Sequence, residues 1–187
     1  DIVTTLSDLY TGIDLVYIAS PNSLHFEQSK VAIEAGVHVI VEKPTTSNPA
    51  EFSEIEKLLT LYPEVRYFEA ARHVHQPNFK VIQQTMGELT QLQGATLVYQ
   101  KYSSRYDAFK AGEVLPAFNP AMSGGALMDL NIYNINLVVA LFGKPLNVNY
   151  EANIQRGIDT SGILTLDYDL SLIHISEPTR RSYISYA

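Results

Sequence analysis

The chain has 187 residues, 46% of them hydrophobic and 18% charged, with a net charge of −7. That is ordinary globular composition, and the acidic balance argues against a nucleic-acid partner, which would need a basic footprint. Cysteine is absent, which excludes disulfides and thiolate metal ligation and fits a cytoplasmic protein; no apolar run stands out as long enough to span a bilayer, so no membrane partner is expected.

The opening residues, Asp1-Ile2-Val3-Thr4-Thr5-Leu6, carry neither an initiator Met nor a leader peptide and read as a chain entered midway. Leu15-Val16-Tyr17-Ile18-Ala19 is a continuous apolar run ending at Ser20-Pro21-Asn22. Such runs suit parallel strands buried on both faces. A helix is expected from Ser23 to Ala35, capped by Asn22 or Ser23 and closed by Gly36 in the left-handed conformation. Val37-His38-Val39-Ile40-Val41 is the next strand, which makes a βαβ crossover in a parallel sheet. Asn48-Pro49-Ala50-Glu51 opens a second helix with a capping side chain, Pro at the first helical position and Glu behind it. Phe52, Ile55, Leu58 and Leu59 would form its apolar face. Arg66 to Ala71 reads as a further short strand, so residues 1–72 look like a doubly wound α/β domain.

The pattern then changes. Phe79 to Met86 predicts a helix stopped by Gly87. Ala95, Leu97 and Tyr99 predict a half-buried strand, and Met122 to Phe142 predicts mainly helix. Val148, Tyr150, Ala152 and Ile154 alternate with Asn147, Asn149, Glu151, Asn153 and Gln155, the mark of an antiparallel sheet with one solvent-facing side. Ile163 to Tyr168 is strand-like. An α/β half followed by an α+β half implies two domains, 1–72 and 73–169, joined near Arg72 to Asn78. Residues 170–187, LSLIHISEPTRRSYISYA, resemble a translated sequencing adaptor and read as a non-native tail, so His174 is no site residue.

In open parallel sheets, ligands bind beyond the carboxyl ends of the strands. Ser20 to His25 and Glu42 to Pro44 occupy two such ends. A lysine in a cleft polarises a carbonyl and lowers a neighbour's pKa; from spacing alone, an ordinary surface lysine is the commoner reading of Lys43. Asp129 and Tyr133 lie four apart and would share one helix face. They are an acid/base pair, or else a first-turn Asp favoured by the helix dipole beside a packed Tyr. Tyr102, Arg105 and Tyr106 form a polar aromatic cluster or a solvated loop. His73 and His75 read as structural, and no metal site is expected.

Three strings together carry a specific resemblance: Ser20-Pro21-Asn22-Ser23-Leu24-His25, then Ala35-Gly36-Val37-His38-Val39-Ile40-Val41-Glu42-Lys43-Pro44, then Gly124-Gly125-Ala126-Leu127-Met128-Asp129-Leu130-Asn131-Ile132-Tyr133. In order and spacing the chain resembles the Gfo/Idh/MocA oxidoreductases over nearly all of residues 1–169. The resemblance implies α/β plus α+β architecture: the C-terminal half of a Rossmann domain, then part of an open antiparallel-sheet substrate domain. It implies NAD or NADP as cofactor and hydride transfer at a carbinol carbon of a sugar, inositol or related polyol. It also implies a homo-oligomer formed through the C-terminal sheet.

Lys43 then matches the family's active-site lysine. Either Tyr133 serves as general acid/base with Lys43 easing its phenolate, or Lys43 carries the proton itself; Asp129 anchors a substrate hydroxyl or orients Lys43. Ser20, Pro21, Asn22, His25, Glu42, Lys43 and Pro44 become cofactor candidates. Among them His25 either touches the cofactor or caps its helix, and Glu42 either meets the nicotinamide ribose or is a plain strand end. The family suggests a cis peptide before Pro44. Arg72, Tyr102, Arg105 and Tyr106 become substrate-side candidates. Asn131 stands where the family more often has Gly and would narrow the pocket. The family's glycine-rich phosphate turn is not in the chain. The fragment alone is therefore expected to bind dinucleotide poorly and to be inactive, the whole protein being the dehydrogenase. The alternative is a non-catalytic nucleotide or sugar sensor, or a scaffold, of the same fold.

Overall fold

The computed structural model describes residues 4–89 and 92–168, and the adaptor-like tail at 170–187 lies outside them. The chain divides into two compact units, one of residues 1–70 with 121–124, the other of 71–120 with 125 onward.

The first unit begins with a short helix α1 (Leu6–Leu9), capped by the Thr5 side chain. Strands β1 (Leu15–Ile18), β2 (His38–Val41) and β3 (Tyr67–Glu69) form a parallel sheet in that order. Val16 stands opposite Val39, and Ile18 opposite Val41. The connections are helices α2 (His25–Glu34) and α3 (Pro49–Leu61). Val16, Ile18, Val39 and Val41 are buried in one cluster with Ala32 and Ile33 of α2 and Ile55 and Leu58 of α3. Both crossovers therefore cover the same face. The other face carries Leu15, Tyr17 and Phe68, all exposed. The sequence reading of strands buried on both sides is thus corrected: among the described residues no element covers that second face, so burial alternates along β1.

The ends of α2 show how local chemistry sets the frame. Gly36 adopts φ 75°, and the Val37 amide closes on the Ala32 carbonyl at 2.9 Å, so the left-handed stop is as expected. The start differs. A single 3-10 turn, Asn22–Leu24, leads into α2 without a side-chain cap. The Asn22 amide instead donates to the Ser123 carbonyl at 3.0 Å, within the same unit. At α3 the expected cap forms: Asn48 Oδ1 accepts the Glu51 amide at 3.0 Å, while Glu51 accepts the Ser47 amide at 2.7 Å. Phe52, expected on the buried face of α3, is exposed.

The second unit opens with a 3-10 turn, Arg72–His75, and helix α4 (Pro77–Glu88), where Gly87 lies inside the last turn rather than stopping it. Ala95, Leu97 and Tyr99 pair with no strand among the described residues; alternation alone does not supply a ladder partner. A short helix α5 (Tyr106–Lys110) follows. After Gly125 the backbone forms one π-helical turn, Leu127–Asn131, and continues as helix α6 (Ile132–Phe142). By length and composition the stretch Pro120–Phe142 is apolar enough to cross a membrane, which the sequence reading passed over. Here it begins as separate short turns, and Val138 of α6 packs against a sheet.

That sheet is an antiparallel pair, β4 (Asn147–Gln155) and β5 (Ile158–Asp167). Leu164 and Leu166 of β5 are buried with Val138 and Tyr168. On β4 the expected apolar face is mostly open: Val148, Ala152 and Ile154 are exposed, and Tyr150 is half-buried. The apolar layer packs chiefly over β5, which leaves the outer strand with less cover.

Candidate active site

In the first unit, two loops leave the carboxyl ends of β1 and β2, and one side chain joins them. His25 is 0% exposed. Its Nδ1 lies 2.7 Å from the Pro44 carbonyl oxygen and its Nε2 2.9 Å from the Ser20 carbonyl oxygen. Both ring nitrogens are therefore spent on backbone, and the expectation that His25 touches a cofactor is corrected to a role between the loops; it makes no cap hydrogen bond either. Ser20 Oγ donates to Gln28 Oε1 at 2.7 Å. Pro21 is exposed, and Asn22 is half-buried.

Glu42 and Lys43 are half-buried at the end of β2, and the Lys43–Pro44 peptide is cis. Glu42 Oε1 accepts the Tyr17 hydroxyl at 2.5 Å, and this hydrogen bond raises the Tyr17 phenol above its ordinary pKa. Ser123 Oγ donates to Ser47 Oγ at 2.5 Å, which ties the 121–124 segment to the loop after β2. A strand end that closes with Glu-Lys-Pro presents a cation and a carboxylate where open parallel sheets take ligands.

In the second unit a cavity of about 490 Å³ is bounded by Tyr102, Arg105, Tyr106, Phe118, Gly125 and Asp129, with Asn153, Thr160 and Ser161 from the β4–β5 hairpin. Three of the expected substrate-side residues, Tyr102, Arg105 and Tyr106, thus share one wall system with Asp129. Arg72 is exposed and does not line this cavity. Tyr133 is not in the lining either. Its ring stacks on Tyr99 at 5.6 Å between centroids and meets the edge of His73 at 5.2 Å. Burial lowers the His73 imidazole below its ordinary pKa, with the Tyr133 backbone opposing that shift. Asp129 sits in the π turn, and π turns recur at functional sites.

Asn131 is buried, is hydrogen-bonded by the Asn134 amide at 3.1 Å, and is absent from the cavity lining. It therefore does not narrow the cavity as the sequence suggested. Tyr102 donates to Asp107 at 2.8 Å, and Asp107 pairs with Lys110 at 2.7 Å, which pushes the lysine up to about 12. Tyr106 donates to Gln155 at 2.6 Å. Sequence reasoning missed Lys101, Asn153, Thr160 and Ser161. The last three reach the cavity only because the hairpin folds them there, and no local motif marks them.

A parallel βαβαβ unit with polar loops at its strand ends, followed by an α+β unit holding a polar cavity, is the build of a Rossmann-type oxidoreductase. Residues 2–65 match GFO_IDH_MocA, an oxidoreductase family with an NAD-binding Rossmann fold, and the chain belongs to this family. It is 41% identical over 157 residues to the scyllo-inositol 2-dehydrogenase (NADP(+)) IolU of Bacillus subtilis, covering 83% of this chain and 48% of that protein. It is 40% identical over 160 residues to the uncharacterized oxidoreductase YgjR of Escherichia coli, covering 84% of this chain and 48% of that protein. The WlbA dehydrogenase of Thermus thermophilus, solved with NAD and UDP-GlcNAcA, shares the fold at a TM-score of 0.74 and 22% identity, over 97% of this chain and 52% of that one. The chain spans about half the length of the relatives it matches.

Proposed function

We propose that the chain is the central part of an NAD(P)-dependent dehydrogenase that oxidises or reduces a carbinol carbon of a sugar, inositol or related polyol. The observation that carries this is the Glu42-Lys43-Pro44 loop at the end of β2, in a chain 41% identical to an inositol dehydrogenase over 83% of its length. The residues present fit the nicotinamide–ribose end of a dinucleotide. Ser20, Pro21, Asn22, Glu42, Lys43 and Pro44 bring carbonyl, amide, carboxylate and ammonium groups to two adjacent strand ends. When bound, the cofactor supplies the site that accepts or returns hydride.

The chain's own residues do the rest. Hydride transfer leaves a proton to be moved at the substrate oxygen. A general acid or base placed there contributes roughly 10²- to 10⁴-fold. Lys43 and Tyr133 are the two candidates for that proton. Asp129, with Tyr102, Arg105 and Tyr106 around the same cavity, holds substrate hydroxyls. Arg72 belongs to the substrate side by resemblance alone. Self-association runs through the second unit's sheet, where Val148, Ile154 and Ile163 are exposed.

The test uses the full-length protein with NAD and NADP against scyllo-inositol and D-xylose. Lys43→Met and Tyr133→Phe are then compared for turnover and for cofactor binding. The proton carrier should lose at least about 100-fold in kcat and shift the pH profile while still binding cofactor. Absence of nicotinamide binding by the wild type would refute the dehydrogenase reading in favour of a scaffold. Binding without turnover on any sugar or polyol would favour a sensor.

A further inference from the structure

We propose that Asp159 is a positioning residue for the active-site helix: from β5 it holds the start of the helical segment that carries Asp129 and Tyr133. This rests on the dehydrogenase reading above. The segment beginning at Leu127 has no side-chain cap of its own. First-turn amides have no partner within a helix and must find one elsewhere. The Asp129 amide reaches the Gly125 carbonyl at 2.9 Å. The Leu127 amide instead donates to Asp159 Oδ2 at 2.7 Å, a cap delivered from 32 residues away. A carboxylate is the suited acceptor, because it opposes the positive end of the helix dipole and makes a charge-assisted bond.

The carboxylate is itself held. The Tyr150 hydroxyl donates to the same Oδ2 at 2.7 Å from the neighbouring strand. Two glycines clear the space. A Cβ on Gly125, which sits at φ 110°, would lie 2.0 Å from Asp159 Oδ1. A Cβ on Gly162 would lie 2.4 Å from the Tyr150 ring. The second glycine of the Gly124-Gly125 pair is thus required by Asp159 as well as by its own backbone angle. The arrangement also forms part of the cavity: Gly125, Ala126 and Asp129 line it on one side, and Thr160 and Ser161, next to Asp159 in sequence, line it on the other. Asp159 and Tyr150 touch no reacting atom; they fix where Asp129 stands.

The experiment compares Asp159→Asn, Tyr150→Phe and their double variant in the full-length protein. Three quantities are read: kcat, the dissociation constant of the nicotinamide cofactor, and hydrogen exchange at the Leu127 amide. A displacement of about 1 Å at a reacting group costs up to about 100-fold. Asp159→Asn should therefore lower kcat by at least about tenfold while cofactor affinity holds, since the cofactor candidates lie in the other unit. Leu127 exchange should speed up, and the double variant should lose little more than Asp159→Asn alone. Faster exchange with unchanged kcat would reduce Asp159 to a stabilising contact and overturn the proposal. Unchanged exchange would overturn it as well. A wild type without turnover defeats the dehydrogenase reading, and the exchange result still decides whether Asp159 holds the helix start. Should Asp159→Asn fail to fold, Tyr150→Phe carries the same comparison.

Discussion

His25→Ala removes a fully buried imidazole and leaves two carbonyl oxygens without their donor. The bonds lost are the 2.7 Å contact to Pro44 and the 2.9 Å contact to Ser20. Leaving a buried polar group unsatisfied costs roughly 1–3 kcal/mol. Two such groups give about 4 kcal/mol before any cavity is counted. Against a typical domain stability of about 5–15 kcal/mol, that is a large share. His25→Phe fills the volume but donates nothing, so it should lose nearly as much; a variant that packs well yet stays unstable isolates the hydrogen bonds. Urea unfolding followed by far-UV circular dichroism measures both. Cofactor affinity should fall with stability, because the Ser20 and Pro44 loops are the ones proposed to hold the nicotinamide end. A loss below about 1 kcal/mol in both variants, the size of one ordinary net hydrogen bond, would refute the idea that His25 ties the loops together.

Two further outcomes follow from local features. Asn48→Ala removes the cap of α3, and the midpoint of urea unfolding should fall by the equivalent of about 1 kcal/mol. The His73 imidazole is held below its ordinary 6.5 by burial. As pH falls through about 6.5 the unfolded chain therefore takes up a proton before the folded chain does. Stability contributed by neutral His73 is present above that pH and is lost below it, so the melting temperature should drop between pH 7.5 and 5.5. His73→Phe should flatten that slope; an unchanged slope would show that His73 is not the group responsible.

The sequence by itself determined the elements whose causes are local. The Asn48 cap, the left-handed Gly36 and the apolar runs of β1 and β2 are each written in a few consecutive residues, and each stands in the structure as expected. The family strings placed Lys43 at a strand end in the same way. Burial was less legible. Tyr17 and Phe68 look like core residues in a list of apolar side chains, yet both are exposed, because cover depends on which face the crossover helices take. Val148 and Ile154 alternate as a buried face should, but the packed layer lies over β5. His25 changed role for the same kind of reason: its ring nitrogens are claimed by carbonyls 5 and 19 residues away, and a motif shows the residue without its partners. Asp159 carried no signal in the sequence. Its importance comes from a contact made across 32 residues and from the space two glycines leave around it. Hydrogen bonds within a turn are set by chain geometry; those between distant segments exist only once packing has brought them together.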